Sequence, residues 1–86
     1  MFFVYLLQSR VTKKWYIGFT ENVSQRLEQH NAGKNISTTV GRPWDVIYYE
    51  TYLNKLDALG REKFLKSGSG HRFLKKQLTH FLNFQK

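Results

Sequence analysis

Two short runs, Phe2-Phe3-Val4-Tyr5-Leu6-Leu7 and Trp15-Tyr16-Ile17-Gly18-Phe19, decide how the rest of the chain reads. The first is apolar at odd and even positions alike. That is the pattern of a strand covered on both faces, and it predicts a central strand. The second, aromatic and β-branched, predicts its neighbour. Only the polar stretch Arg10 to Lys14 separates them, too short for a crossover connection, so the pair reads as an antiparallel hairpin.

Downstream, Thr20 or Asn22 stands where a helix cap is needed, the latter with Gln25 after it, and the helix runs to Asn31 before Gly33 stops it. Val23, Leu27 and His30 fall on one face of that helix. Gly33 to Pro43 reads as a long polar loop with Lys34, Arg42 and a Ser37-Thr38-Thr39 run, and loops of that length are often functional. Trp44 to Tyr52 predicts a third strand. Asn54 caps a second helix, with Asp57 in its first turn where a negative charge suits the helix dipole. Its apolar stripe reads as Ala58, Leu59 and Leu65. Gly68-Ser69-Gly70 reads as a turn, because a phosphate-cradling loop would need Gly-Lys-Ser/Thr after it. From His71 to about Asn83, Leu74, Leu78, Phe81 and Leu82 form the stripe of a third helix. The order is β-β-α-β-α-α, an α+β arrangement, with no internal repeat and no linker to divide residues 1–86 into more than one domain.

The composition narrows the chemistry. Among 86 residues there are 14 Lys+Arg against 6 Asp+Glu, a net charge of +8 that calls for an anionic partner, and 41% of the chain is hydrophobic, enough for one core. The absence of cysteine excludes disulfides, a thiolate nucleophile and thiolate zinc sites. The run Phe2 to Leu7 is too short to span a bilayer and lacks a basic leader, so the expectation is a soluble, cytoplasmic protein that makes no use of a membrane. The carboxylates are scattered, whereas two-metal phosphoryl chemistry uses a cluster, so a hydrolase of this composition would use one metal or none.

Several residues are placed to carry chemistry. Tyr5 and Tyr16 lie on neighbouring strands, and Gly18, on the same face as Tyr16, leaves a gap through which a ligand could approach the backbone; the plainer reading is that strands favour tyrosine. Arg26 and His30 sit one above the other on the first helix, where a guanidinium could clamp a phosphate and an imidazole could orient water; the alternative is a solvated Arg and a partly buried His. Glu62 falls inside an apolar stripe, which calls for a cation partner, a metal, or a helix rotated to expose it. Lysines and arginines cluster in the hairpin turn (Lys13, Lys14), in the loop (Lys34, Arg42), on the second helix (Lys55, Arg61, Lys63, Lys66) and on the third (Arg72, Lys75, Lys76). Interleaved with aromatics, they make the footprint of a nucleic-acid binder.

The succession Phe3-Val4-Tyr5, Tyr16-Ile17-Gly18, Arg26, His30, Glu62 resembles the GIY-YIG nuclease domain over nearly the whole chain. The second half-motif is literal, and in the first Phe-Val replaces Gly-Ile. The match is most similar to small stand-alone bacterial members described as excision-repair-nuclease-like or uncharacterised, whose second helix ends like Glu62-Lys63-Phe64-Leu65-Lys66. The resemblance implies a three-stranded antiparallel sheet flanked by helices and hydrolysis of phosphodiester bonds in DNA, RNA not being excluded. It implies that Glu62 holds one divalent cation, Mg²⁺ or Mn²⁺, and that Arg26 stabilises charge on the phosphoryl oxygens. Tyr16 or Tyr5 would contact the attacking water, one as general base if nearby positive charge lowers its pKa, with His30 in support. Gly18, Lys34, Arg42, Arg61, Lys63, Lys66 and Arg72 are then the candidates for nucleic-acid contact. A late Asn that several members use on the phosphate has no clear counterpart, and no appended recognition domain is seen, so any specificity would come from substrate shape, a protein partner or a homodimer. The reading from a different class is a binding module that keeps the fold and basic face without turnover.

Overall fold

Strand β1 (Phe2–Ser9) lies between β2 (Trp15–Thr20) and β3 (Trp44–Tyr52) in a three-stranded antiparallel sheet of order β2-β1-β3, in the computed structural model, which describes residues 1–85. The centre therefore falls to the run that is apolar on both faces, and Val4 to Ser9 are all buried. Side-chain alternation divides the interior in two. Val4, Leu6 and Ile17 point to one face, where Ala58 and Leu65 of helix α2 (Lys55–Leu65) and Leu74 of α3 (Gly68–Gln77) cover them. Tyr5, Leu7 and Trp44 point to the other, under Val23 and Leu27 of α1 (Val23–Asn31).

The helix starts follow the side chains that accept their first free N–H groups. Asn22 Oδ1 accepts from Gln25 N at 3.0 Å, Asn54 Oδ1 from Leu56 N at 2.8 Å and Ser67 Oγ from Gly70 N at 3.1 Å. The third of these corrects the reading of Gly68-Ser69-Gly70 as a turn. The segment is the first turn of α3, and Gly70 lies so close to α2 that a Cβ there would run into the Phe64 carbonyl and the Leu65 backbone. The third helix is also divided: Leu78, at φ −102° and ψ 24°, ends α3, and α4 (Thr79–Phe84) follows. Leu59 is 37% exposed and outside the α2 stripe, which turns instead toward Ala58, half-buried Glu62 and Leu65.

Two polar assemblies position the loops and α2. Ser9 Oγ accepts from Val11 N and Thr12 N at 3.1 and 2.9 Å while donating to the Gly41 carbonyl at 2.6 Å, which ties the β1–β2 turn to the long loop. Trp44 Nε1 donates to the Thr38 carbonyl at 2.7 Å, and the Asn31 amide brackets the Trp44 backbone at 2.7 and 3.1 Å. So held, the loop forms a 3₁₀ turn at Ile36–Thr38. On the opposite face, the Glu50 carboxylate accepts from Tyr48 at 2.6 Å, Tyr52 at 2.7 Å and Arg61 at 2.8 and 3.0 Å. The Arg61 guanidinium lies over the Phe64 and Phe73 rings at 5.1 and 4.5 Å, clamping α2 and α3 to β3.

Because the α2–α3 approach admits no side chain, Gly70→Ala lowers stability by about 1–3 kcal/mol. Gly60→Ala, where nothing lies within 4 Å of the new Cβ, raises it by about 0.4–1 kcal/mol. Urea unfolding of the two variants beside the parent measures both.

Candidate active site

Tyr5 stands opposite Gly18 across the β1–β2 ladder. A Cβ at position 18 would collide with the Tyr5 hydroxyl and ring, so the phenol fills the space that the sequence reading left for a ligand. Gly18 is buried, and the open gap expected beside it is occupied by Tyr5. From that position the Tyr5 hydroxyl reaches His30 Nε2 at 3.0 Å, and His30 Nδ1 meets Thr38 Oγ1 at 2.7 Å. The Thr38 hydroxyl points on to the Asn35 carbonyl at 3.3 Å. Read from that terminal acceptor, Thr38 donates to Asn35, His30 Nδ1–H donates to Thr38, and Tyr5 donates to His30 Nε2. Tyr16, half-buried, meets the His30 ring edge-on at 4.8 Å between centroids, and Asn35 Nδ2 lies 3.5 Å from its hydroxyl.

Burial, and after it the neighbouring Tyr16, push the Tyr5 phenol well above its ordinary value of 10.0; Arg26 pulls it down and Glu62 pushes it up. Arg26 does act in the direction the base role requires, but burial outweighs it. His30 is fully buried, and burial first and Arg26 second hold it below the ordinary 6.5, so it is neutral near pH 7. Arg26 and Glu62 come from helices on opposite faces of the sheet, yet the fields of both meet at Tyr5. The Glu62 side chain is 19% exposed, with Oε2 3.0 Å from Lys66 Nζ one helical turn on. Its chemistry fits a hard divalent cation: one carboxylate at a partly exposed position where waters and a phosphate could complete the shell. Among the described residues no three His, Asp or Glu side chains gather into a closed metal cage.

The structure brings Tyr5, Tyr16 and His30 together; the charge of Arg26 bears on Tyr5 and His30, and that of Glu62 on Tyr5 alone. The nucleic-acid candidates are dispersed. Arg42 is exposed, donates from Nε to the Thr39 carbonyl at 2.9 Å and lies over Gly33, while Lys34 is on the outer side of α1 beside Gln25, Glu28 and Gln29. Lys63 on α2 and Lys66 at its C-cap are exposed, and Arg72 donates to Ser69 Oγ at 3.0 Å on the outside of α3. Arg61 is turned to Glu50 and sandwiched by rings, 27% exposed, which makes it a clamp within the fold and not a free cation. Sequence reasoning missed Thr38 and Asn35, the partners of His30 and Tyr16. Their only signal was a Ser/Thr/Asn-rich stretch inside an unusually long loop.

A family model described as the GIY-YIG catalytic domain matches residues 1–76. Relatives described as UPF0213 proteins include one from Oceanobacillus iheyensis, 36% identical over 92% of this chain and 90% of its own. Another, from Staphylococcus epidermidis, is 35% identical over 85% of this chain and 89% of its own. With the hairpin, Tyr5, Tyr16, Arg26 and Glu62 already in place, the chain belongs to the GIY-YIG family. That is a nuclease-type family whose substrates are nucleic acids and whose members generally use divalent metal ions.

Two consequences can be measured. Gly18→Ala displaces the Tyr5 ring, breaks its bond to His30 and lowers stability by about 1–3 kcal/mol in chemical denaturation. The unfolded chain protonates this histidine near 6.5 whereas the native state resists, so the unfolded state binds more protons below that pH. Native stability due to His30 is therefore full above 6.5 and falls as the pH drops below it. Melting temperatures at successive pH values show this fall, and a His30→Gln variant, less stable overall, shows a shallower one.

Proposed function

We propose that residues 1–86 act as a single-domain, metal-dependent DNA endonuclease of weak sequence specificity or with a preference for DNA shape, working in the cytoplasm. One observation carries the reading: the buried chain Tyr5–His30–Thr38, with Tyr16 edge-on to the imidazole and both Arg26 and Glu62 acting on Tyr5. No described helix is long and apolar enough to cross a membrane.

Glu62 would hold Mg²⁺ or Mn²⁺, and the bound cation would neutralise charge on the scissile phosphate. Arg26, half-buried above His30, is placed to donate to phosphoryl oxygens as negative charge grows there. Tyr5 is 3% exposed and already hydrogen-bonded to His30, so its part is to hold the imidazole and the hairpin in place. The half-buried Tyr16 is the phenol that can reach an attacking water, with the His30 ring, both of whose nitrogens are already bonded, supporting it edge-on.

A second reading also has an observation in its favour. Glu62 is already paired with Lys66, which suits a nucleic-acid-binding module without turnover. The two differ in a single assay, nicking of supercoiled, branched and single-stranded DNA with Mg²⁺ or Mn²⁺. The endonuclease yields metal-dependent product, and Arg26→Ala and Glu62→Ala each reduce the rate about 10²–10³-fold. The module yields no product and binds DNA in a salt-sensitive way that Glu62→Ala leaves intact.

A further inference from the structure

Among the described residues, strand β2 pairs only with β1, so its other side is an edge of the sheet. Two cavities meet at that edge. One, ≈220 Å³, opens beside Tyr16, with Lys14, Trp15, Ser37 and Gly41 in its wall. The other, ≈550 Å³, lies between the hairpin and α3 and is lined by Lys13, Lys14, Trp15, His71 and Lys75. Lys14 and Trp15 line both, so the cavities adjoin at the start of β2, and a ligand passing over these two residues would follow a track from the Tyr16 side of the sheet to the α3 side.

The chemistry of the track is uniform. Among the described residues, no carboxylate lines either cavity. The Asp45 carboxylate, which feels Lys13, is already held by Arg10 at 2.8 Å. Trp15 is half-buried, seated on the core beneath it, with the His71 ring tilted against it at 5.9 Å. Lysines on both sides of an aromatic platform are the features that hold an unpaired strand, phosphates on the cations and a base on the ring. A base inside a duplex is stacked on its neighbours and cannot use such a platform.

We propose that this track holds a single-stranded segment of nucleic acid, with a base stacked at Trp15 and His71 and phosphates on Lys14 and Lys75, leading round the β2 edge to Tyr16. What happens at Tyr16 rests on the endonuclease reading; the binding does not. The test is therefore run without divalent metal, on the full chain, with oligothymidylate of about 10 nucleotides, within the usual span of such sites.

Tryptophan emission is the readout. Trp44 also borders the smaller cavity but is 5% exposed and bonded through Nε1, so acrylamide reaches Trp15 in preference, and protection from acrylamide is what assigns the quenching to Trp15. The expected result is saturable quenching, protection of Trp15 from acrylamide, and, in a Lys14→Gln/Lys75→Gln variant of unchanged circular dichroism, weaker binding with a salt slope smaller by about 1.4. Unchanged affinity and slope in that variant overturn the proposal. So does equal quenching by blunt duplex or by phosphatidylserine vesicles. If the variant fails to fold, the acrylamide measurement on the parent decides, and absence of protection overturns it. A failure to nick DNA refutes the endonuclease reading and leaves this result standing.

Discussion

Tyr5 crosses the space above Gly18, and the rest of the site is arranged around that crossing. With any side chain at position 18 the phenol would be pushed off the sheet and its hydroxyl would lose His30. The imidazole in turn fixes how α1 sits on the sheet, because a fully buried polar ring must find a partner for each nitrogen. One partner is on β1 and the other is in the loop before β3, so a single residue joins three parts of the chain that are distant in sequence.

Electrostatics then sorts the charges into two kinds. Glu50 and Arg61 neutralise each other under the sheet, with two tyrosine hydroxyls completing the carboxylate's hydrogen bonds. Burial raises the Glu50 carboxyl, yet the bonds from Arg61, Tyr48 and Tyr52 bring it below its ordinary value. This clamp stops α2 from rotating and so fixes the direction of the next residue, Glu62, within the stripe of Ala58 and Leu65. Arg10 and Asp45 form a second pair at the surface. The net charge of +8 is then expressed by exposed lysines and arginines on the loop, α2, α3 and the hairpin turn.

Much of this was legible before any coordinates. The double-sided apolar run placed β1 at the centre, Asn22 and Asn54 marked two helix starts, and the spacing of Tyr5, Tyr16, Arg26, His30 and Glu62 carried the family. The misses share one physical cause. Gly68-Ser69-Gly70 has the composition of a turn, and only the contact between α2 and α3 explains a glycine inside the helix. Gly18 looked like a gap open to ligand because a one-dimensional pattern cannot show that a tyrosine from the next strand fills it. Arg61 looked like another phosphate-seeking cation because Glu50, eleven residues earlier, belongs to a different element.

The elements, the central strand and the residue types of the candidate site could be read along the chain, since these follow from local periodicity, capping chemistry and composition. Folding settles which phenol is sealed and which is accessible, which arginine is consumed, and that Thr38 and Asn35 are the partners of His30 and Tyr16. Those outcomes depend on burial and on hydrogen-bond partners brought together across the fold, and neither is encoded in the spacing along a chain.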